Sequence, residues 1–445
     1  MKKKLLWMIV LALLMSFLCV SCSGNTKTGV KPMSGDGAYY YPEGFTSDSY
    51  RDHASSEMGK TDSTGSEHDS GKIKTEESVD TDVTNGKQQQ QTAGLITACA
   101  WDDNADYESW KALFNKQDAN TEGGKLAEFV DNKWKFDTLG RVKVTVKNGE
   151  APVCGASVSG FDADQKEYKA VTNANGVAYV FPGDATGTVT VKSGDIETTA
   201  DFTEENRDLT VDLASTATKD NLIKLMFVID VTGSMGDELT YLTNEVTDVI
   251  GRIAANDDQT RIDLALLFYR DNTDTEKFQY IEFKNVTDPA LLAEQKQALA
   301  NQSAKGGGDY PEALDEALLL AVEKDWGAEN STKIIFHVFD APSHDQDENI
   351  ARCGQAAEIA AEKGIRYCPV LCSGADLLCE YIARQGALFT GGTFIYVTDH
   401  SGIGNTHYDP NIPNTVVEKL NDMMVRLVIG HHTGTFADPV WWNAQ

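Results

Sequence analysis

The stretch Asp230-Val231-Thr232-Gly233-Ser234-Met235 follows directly on the apolar run Leu222–Ile229. The apolar run predicts a buried strand. The polar stretch predicts a loop that carries a carboxylate and two hydroxyls at alternate positions, on Asp230, Thr232 and Ser234. Three hard oxygen ligands on one loop suit Mg²⁺ or Mn²⁺. Taken alone, Ser234 could also be the N-cap of a following helix, with Asp237 three residues further on.

Downstream of this loop, apolar strands alternate with helices, which predicts an α/β fold with a doubly wound, mostly parallel sheet over residues 221–430. The strands are apolar on both faces, as expected for a sheet that helices cover on both sides. The predicted strands are Leu222–Ile229, Ile262–Tyr269, Tyr280–Phe283, Lys333–Phe339, Arg366–Leu371 and Thr393–Val397. The predicted helices are Asp237–Ala254, Pro289–Gln302, Pro311–Glu323, Glu348–Lys363, Ala375–Gln385 and Val416–Val428.

The loop after the first strand resembles the metal-ion-dependent adhesion site of von Willebrand factor type A domains, which have a Rossmann-like fold. That motif reads Asp-x-Ser-x-Ser, and Thr232 keeps the hydroxyl of the middle serine. Asp340 ends a later apolar strand, where the family places a second carboxylate. The resemblance implies that Asp230, Thr232 and Ser234 bind Mg²⁺, or Mn²⁺ or Ca²⁺, and that Asp340 belongs to the same metal site as an outer carboxylate that orients a coordinated water. It also implies that the cation completes its shell with a carboxylate from a partner protein.

A second loop, Gly306-Gly307-Gly308-Asp309-Tyr310-Pro311-Glu312, departs from the common pattern. Many family members have a threonine ligand where this chain has Gly308. The string resembles a subgroup found beside α-kinases and in hemicentin-like proteins. Asp309 is therefore predicted either to bind the metal or to cap a helix, with Glu312 closing a capping box.

Two further residues are candidates for the rim of the metal site, namely Asp271 and His344. Asp271 follows a predicted strand, and the alternative for it is a solvated loop carboxylate. His344 could hydrogen-bond a bound acid, or it could be an ordinary polar surface residue. Carboxylates that end neighbouring strands should meet at one edge of the sheet, where they would repel one another without a cation.

The amino terminus predicts export. Lys2-Lys3-Lys4 followed by the apolar run Leu5–Val20 predicts a signal peptide over residues 1–21. Val20-Ser21-Cys22-Ser23-Gly24 resembles a bacterial lipobox with Cys22 as the lipidated residue. The resemblance implies a lipid anchor on a membrane of the bacterial cell envelope, at the outer membrane or the cell surface.

The segments around the α/β domain differ in composition. Residues 22–91 are polar and lack apolar periodicity, which predicts a disordered tether. Residues 92–137 are predicted as a short helical lead-in, and residues 431–445 as a tail. Residues 138–215 alternate apolar and polar side chains, which predicts a small all-β sandwich. This segment resembles the carboxypeptidase regulatory-like family, with the role of a spacer.

The net charge of −29 excludes nucleic acid as a partner, because so acidic a surface repels phosphates. Four cysteines lie close together in the sequence, at positions 353, 368, 372 and 379. Export permits disulfides among them, for example Cys353–Cys368 or Cys372–Cys379, and buried free thiols are the alternative.

The sequence as a whole predicts a lipid-anchored surface protein that captures a protein or extracellular-matrix ligand through its metal. The alternative is a scaffold for an envelope complex, whose metal site is regulatory or vestigial. We expect no enzymatic activity, because the chain carries no recognisable nucleophile pattern and no paired metal-ligand histidines.

Overall fold

A computed structural model describes residues 93–442, apart from 116–125, 128, 130–133, 135–137, 184–185, 216, 237, 257–258, 328–329, 403–405, 411 and 413–414. These residues belong to one compact unit, Gly86–Gln445. The predicted signal peptide, the predicted lipidation site Cys22 and the predicted tether lie outside the described residues. None of the helices among the described residues is long and apolar enough to cross a bilayer.

The strands and helices follow one another in an order that places a β-rich segment before an α/β segment. The first strands are β1 (Thr97–Trp101), β2 (Val142–Asn148), β3 (Ala151–Pro152), β4 (Ser157–Phe161), β5 (Glu167–Val171), β6 (Val177–Val180), β7 (Gly187–Ser193), β8 (Ile196–Phe202) and β9 (Asp208–Asp212). The later strands are β10 (Leu222–Asp230), β11 (Arg261–Tyr269), β12 (Phe278–Asn285), β13 (Thr332–Phe339), β14 (Ile365–Leu371), β15 (Phe394–Val397) and β16 (Glu418–Lys419). The helices are α1 (Tyr107–Ala112), α2 (Leu239–Asn256), α3 (Pro289–Ala300), α4 (Leu314–Glu323), α5 (Asp347–Lys363), α6 (Leu377–Thr390) and α7 (Leu420–Thr433).

An eight-stranded sheet forms the centre of the α/β segment, with the order β12-β11-β10-β13-β14-β15-β1-β16. The strands from β11 to β15 run parallel, while β12 and β1 are antiparallel to their neighbours. The predicted α/β fold with a mostly parallel sheet is confirmed. The strand order reverses between β10 and β13, and ligands of open α/β sheets bind at the carboxyl ends of such a pair. Asp230 and Asp340 stand at these two ends.

Helices cover both faces of the sheet, because successive side chains of its strands point to opposite sides. On β10, Leu225 and Phe227 pack with α2, α3 and α7, whereas Met226 and Val228 pack with α4, α5 and α6. All four side chains are fully buried. This packing fixes the sheet, and so it fixes the positions of the loops at its carboxyl edge.

The segment predicted as a separate helical lead-in is part of this sheet. Besides the helix α1, which Asp106 caps, it supplies the strand β1. Ala98 pairs with Val397 and Trp101 with Phe394, so β1 lies between β15 and β16. The register places the start of β1 at the same edge of the sheet as Asp230, because β15 runs parallel to β10.

Residues 142–212 form two four-stranded sheets, inserted in the chain between β1 and β10. One sheet has the order β3-β2-β6 with β9 beside β2, and the other has the order β5-β4-β7-β8. The alternating residues Val142, Val144 and Val146 point into the shared core. A prediction of strands in this segment is thus confirmed, while the family resemblance stays a prediction.

The β-segment packs against the end of the α/β segment that is opposite to Asp230. Arg366, at the start of β14, donates a 2.8 Å hydrogen bond to the carbonyl of Val171. Phe181 stacks on Phe389, near the end of α6, with 4.6 Å between ring centroids. The predicted role of the β-segment as a spacer stays a prediction.

The described cysteines are free thiols, and five of the six are buried. Both example disulfides, Cys353–Cys368 and Cys372–Cys379, were therefore wrong. The thiol of Cys379 lies 3.7 Å from the Tyr310 hydroxyl, and burial raises the pKa of Cys353 and Cys368. These thiols pack as small apolar side chains in the core.

Candidate metal centre

The first loop holds its polar side chains in a connected row. The Asp230 carboxylate accepts hydrogen bonds from the backbone N–H and the hydroxyl of Thr232, at 2.8 and 2.7 Å. The Thr232 hydroxyl lies 3.2 Å from that of Ser234. Ser234 belongs to a short 3₁₀ helix, Gly233–Gly236, and α2 begins only at Leu239. Ser234 is therefore not the N-cap of α2, and its hydroxyl is directed to the row of oxygens.

The glycine-rich connection between α3 and α4 crosses the same edge of the sheet. The N–H of Gly233 donates to the carbonyl of Gly306, at 3.2 Å. The N–H of Gly307 donates to the Asp274 carboxylate, at 2.9 Å. Gly306 and Gly307 have φ values of +79° and +76°, which favour glycine. A Cβ on Gly307 would lie 2.8 Å from Oε1 of Glu312, so the missing side chain leaves room for that carboxylate.

Glu312 does not close a capping box, and this part of the prediction was wrong. Its backbone is bridged to Ser343 as in a strand, with its N–H donating to the carbonyl of Pro342 at 2.9 Å. The helix α4 begins at Leu314, and its N-cap Ala313 makes no side-chain cap bond. Asp309 therefore lies outside the helix and does not cap it. Glu312 is buried, with 3% of its surface exposed, which the sequence did not predict.

Several buried carboxylate oxygens at this edge have no hydrogen-bond partner among the described residues. They are Oδ2 of Asp230, Oε2 of Glu312, Oδ1 of Asp340 and Oε2 of Glu238. A buried charged oxygen without a partner is costly, since it loses its hydration and gains nothing in return. The site therefore calls for a cation or for protons.

The pKa values of these carboxylates show the same cost of burying their charges. Burial first, and then the charges of Asp230, Asp271 and Asp340, together raise the pKa of Glu312 to about 9. Burial and the charge of Asp230 together raise the pKa of Asp340 to about 8. Burial raises the pKa of Asp230 to about 6, against the hydrogen bonds from Thr232. Without a cation, Glu312 and Asp340 thus hold protons at neutral pH.

These donors are of the chemical kind that a hard divalent cation takes. Asp230, Glu312 and Asp340 offer unpartnered carboxylate oxygens, and Thr232 and Ser234 offer hydroxyls. Ser234 acts on the Asp340 carboxylate and opposes the rise in its pKa, so the loop after β10 and the residue that follows β13 belong to one site. Mg²⁺ and Ca²⁺ take such oxygens, and a cation would supply the positive charge that the buried carboxylates lack. Gly308 contributes no hydroxyl, and a Cβ there would point to Thr273 and Asp271.

The other predicted site residues form a second group beside this one. Nε2 of His344 lies 2.9 Å from Oδ1 of Asp271. Asp309 joins them, and one ligand atom from each of the three residues lies within 4.8 Å of the others. Burial opposes ionisation of Asp271, but the hydrogen bonds from His344 and Thr273 outweigh it and lower its pKa. The structure thus groups Asp309 with the two rim residues.

The sequence of this region matches a known family. Residues 224–363 match the sequence profile of the family described as von Willebrand factor A domain. The chain contains a von Willebrand factor A domain. The matched part of the A domain includes the loops that carry Asp230, Glu312 and Asp340. No curated protein matches the chain.

Solved structures similar to the chain share low sequence identity with it. The pilus adhesin SpaC from Lactobacillus rhamnosus GG is 12% identical, over 47% of this chain and 30% of the adhesin, with a TM-score of 0.31. BatB from Bacteroides thetaiotaomicron is 16% identical, over 46% of this chain and 84% of BatB, with a TM-score of 0.26. An aerotolerance-related membrane protein from Bacteroides fragilis is 13% identical, over 47% and 88% of the two chains, with a TM-score of 0.25. These similarities carry no conclusion about function.

Proposed function

We propose that the protein is a lipid-anchored binding protein of the bacterial cell envelope. Its A domain captures a protein or matrix ligand through a divalent cation, with Mg²⁺ as the first choice. The observation that carries this proposal is the set of buried, unpartnered carboxylate oxygens on Asp230, Glu312 and Asp340. The Cys22 anchor rests on the lipobox resemblance. The proposed activity is binding without catalysis.

Each loop has its own part in holding the cation. Asp230 and the hydroxyls of Thr232 and Ser234 stand on the loop after β10. Asp340 follows β13, and Glu312 reaches the site from the glycine-rich connection. In the row formed by Asp230, Thr232 and Ser234, the last residue, Ser234, is exposed to solvent, so a ligand can approach from its side. A cation with a free coordination position would accept an oxygen of the ligand there.

Capture of partners from bacterial and host extracts tests this proposal. The full chain is immobilised and exposed to extract with Mg²⁺ or with EDTA, beside the variant Asp230→Ala. The control is Asp195→Ala, an exposed aspartate in the distant β-segment. We expect the wild type and the control to retain partner proteins in Mg²⁺. The same partners should be lost when EDTA is added or when Asp230→Ala replaces the wild type. Recovery of the same proteins in every condition would remove the metal from the binding mechanism.

One observation favours the alternative, a scaffold whose cation has a regulatory role. Asp230, Glu312 and Asp340 together carry up to three negative charges, which exceeds the charge of one divalent cation. A cation so neutralised attracts an acidic ligand less strongly than one held by hydroxyls and fewer carboxylates. In this case partner capture survives Asp230→Ala while EDTA still changes the stability of the domain.

A further inference from the structure

The group formed by Asp271, Asp309 and His344 has the composition of a metal site in its own right. An imidazole nitrogen and two carboxylate oxygens lie within 4.8 Å of one another. Mg²⁺ and Ca²⁺ prefer oxygen ligands, whereas imidazole suits Zn²⁺ and other first-row transition metals. Three protein ligands with further positions left to water are typical of open zinc sites. This donor set therefore differs in kind from the oxygen-only donors at the first centre, which comprises Asp230, Glu312 and Asp340 with the hydroxyls of Thr232 and Ser234.

The surrounding residues hold this group in place and leave it open on one side. Asp271 is 1% exposed, and its Oδ2 accepts bonds from the N–H and the hydroxyl of Thr273, at 3.3 and 3.1 Å. Its Oδ1 is directed to Nε2 of His344. His344 is half-buried and Asp309 is exposed, so a cation can enter from solvent.

A separate observation points to a cation on the inner side of this group. Glu312 is 3% exposed, its Oε2 has no partner among the described residues, and both Asp230 and Asp271 act on its charge. Along the glycine-rich loop, a Cβ on Gly307 would lie 2.8 Å from Oε1 of Glu312. A Cβ on Gly308 would lie 3.7 Å from Oδ2 of Asp271. The charges of both groups thus act on Glu312, and one divalent cation leaves an excess of negative charge at this edge.

We propose that Asp271, Asp309 and His344 bind a second divalent cation of the Zn²⁺ type, beside the centre at Asp230. The two centres take different ions, because one offers oxygen ligands alone and the other offers an imidazole nitrogen. A cation at the second centre reduces the negative charge that acts on Glu312. It stands or falls independently of the binding function proposed above.

Zinc titration of the full chain in excess Mg²⁺ tests the second centre by isothermal calorimetry. The variants are Asp309→Asn, which is exposed and leaves the packing intact, and His344→Gln. The control is His400→Gln, an exposed histidine outside the group. Loss of a residue that only hydrogen-bonds a metal ligand weakens metal binding by ~10- to 100-fold. We expect both variants to weaken the tightest zinc binding by more than this. The control should keep the affinity of the wild type.

The variant Asp230→Asn separates the two centres. It should lose Mg²⁺ binding while it keeps the tight zinc site, and Asp309→Asn should show the reverse. Zinc affinities that Asp309→Asn and His344→Gln leave unchanged would overturn the second centre. The same conclusion would follow if Asp230→Asn abolished zinc binding as well, because a single shared site would then explain both ions.

Discussion

The side chain of Glu312 shows how a local pattern can have two meanings. Asp309, Pro311 and Glu312 have the spacing of a capping box, and the sequence alone left open whether Asp309 is a cap or a ligand, while it predicted Glu312 only as the closing residue of the box. The outcome depends on a bridge to Ser343 that keeps Glu312 extended. Such a contact joins segments distant in sequence, so local spacing does not reveal it. The signal that was available is the run Gly306-Gly307-Gly308, which makes room for a neighbouring carboxylate.

The substitution Glu312→Gln should separate metal binding from stability. We expect Mg²⁺ affinity to fall, on the order of 10- to 100-fold, because a neutral amide replaces an anionic ligand. Without a cation the variant should be at least as stable as the wild type, because the burial that raises the pKa of Glu312 to about 9 penalises its charge. Calorimetric titration and urea unfolding in EDTA measure the two effects.

The matched control is Glu323→Gln, an exposed residue at the end of α4. It should leave both Mg²⁺ affinity and stability as in the wild type. If Glu312→Gln binds Mg²⁺ as tightly as this control, then Glu312 is not a ligand and its burial needs another explanation.

Asp230, Thr232 and Ser234 were predictable because their motif is contiguous and follows an apolar strand. The three hydrogen bonds of this row join only two pairs of residues, each two positions apart in the chain, so the local sequence contains all of its geometry. Asp271 and His344 are different, since they come from separate loops. The sequence predicted both as residues of one rim, whereas the direct bond between them appears only in the folded chain.

At the scale of elements, strands buried on both faces were predicted to within a few residues. Leu222–Ile229 became Leu222–Asp230, and Lys333–Phe339 became Thr332–Phe339. The strand Thr97–Trp101 was missed, because its residues Thr-Ala-Cys-Ala-Trp carry little periodicity. Its partner Phe394–Val397 lies about 300 residues further along the chain, and only tertiary contact identifies the pair.

The junction between α5 and the β-segment makes a prediction at this scale. Gly364 ends α5 with a φ of +69°, and a Cβ there would lie 3.1 Å from Cβ of Val171. Gly402 has a similar φ of +65°, and a Cβ there would meet nothing within 4 Å. Gly364→Ala should therefore destabilise the protein more than Gly402→Ala, which should cost about 1 kcal/mol for the left-handed backbone alone.

Urea unfolding of both variants measures the difference. The excess cost of Gly364→Ala reports on close packing between the β-segment and α5, in addition to backbone strain. Equal losses for the two variants would show that the contact with Val171 contributes no stability.

At the scale of the whole molecule, His407 joins segments at the carboxyl edge through hydrogen bonds to two carboxylates. Its Nε2 lies 3.1 Å from the Glu238 carboxylate, and its Nδ1 lies 2.8 Å from that of Asp399. Burial lowers the pKa of His407, but the bonds with these two carboxylates outweigh it and the net shift is upward. The stabilisation is therefore complete below the ordinary histidine pKa of about 6.5, and is lost as the pH rises through the higher pKa of the folded state.

The difference in stability between wild type and His407→Gln should accordingly shrink with rising pH. Urea unfolding in EDTA at about pH 6 and about pH 9 measures it, on either side of the ordinary histidine pKa. His400→Gln is the control, because His400 is exposed. A difference that stays constant over this range would mean that the charge on His407 does not contribute.

The arrangement of the segments changes the picture that the sequence suggested for the molecule. The β-segment contacts Arg366 and Phe389, at the end of the A domain opposite to Asp230. The strand β1 starts at the same edge as Asp230. The sequence predicted the β-segment as a spacer, and the structure adds that this segment packs directly on the A domain. Packing between segments decides such questions, and composition does not encode it.

The central claim is that a divalent cation belongs at Asp230, Glu312 and Asp340, and thermal unfolding of the full chain with Mg²⁺ or EDTA tests it most directly. A cation that binds only the folded state adds about 2.7 kcal/mol at a concentration 100-fold above its Kd, so the Tm should rise in Mg²⁺. Asp230→Asn should abolish this rise. A wild-type Tm that Mg²⁺ leaves unchanged, or an equal rise in Asp230→Asn, would contradict the account.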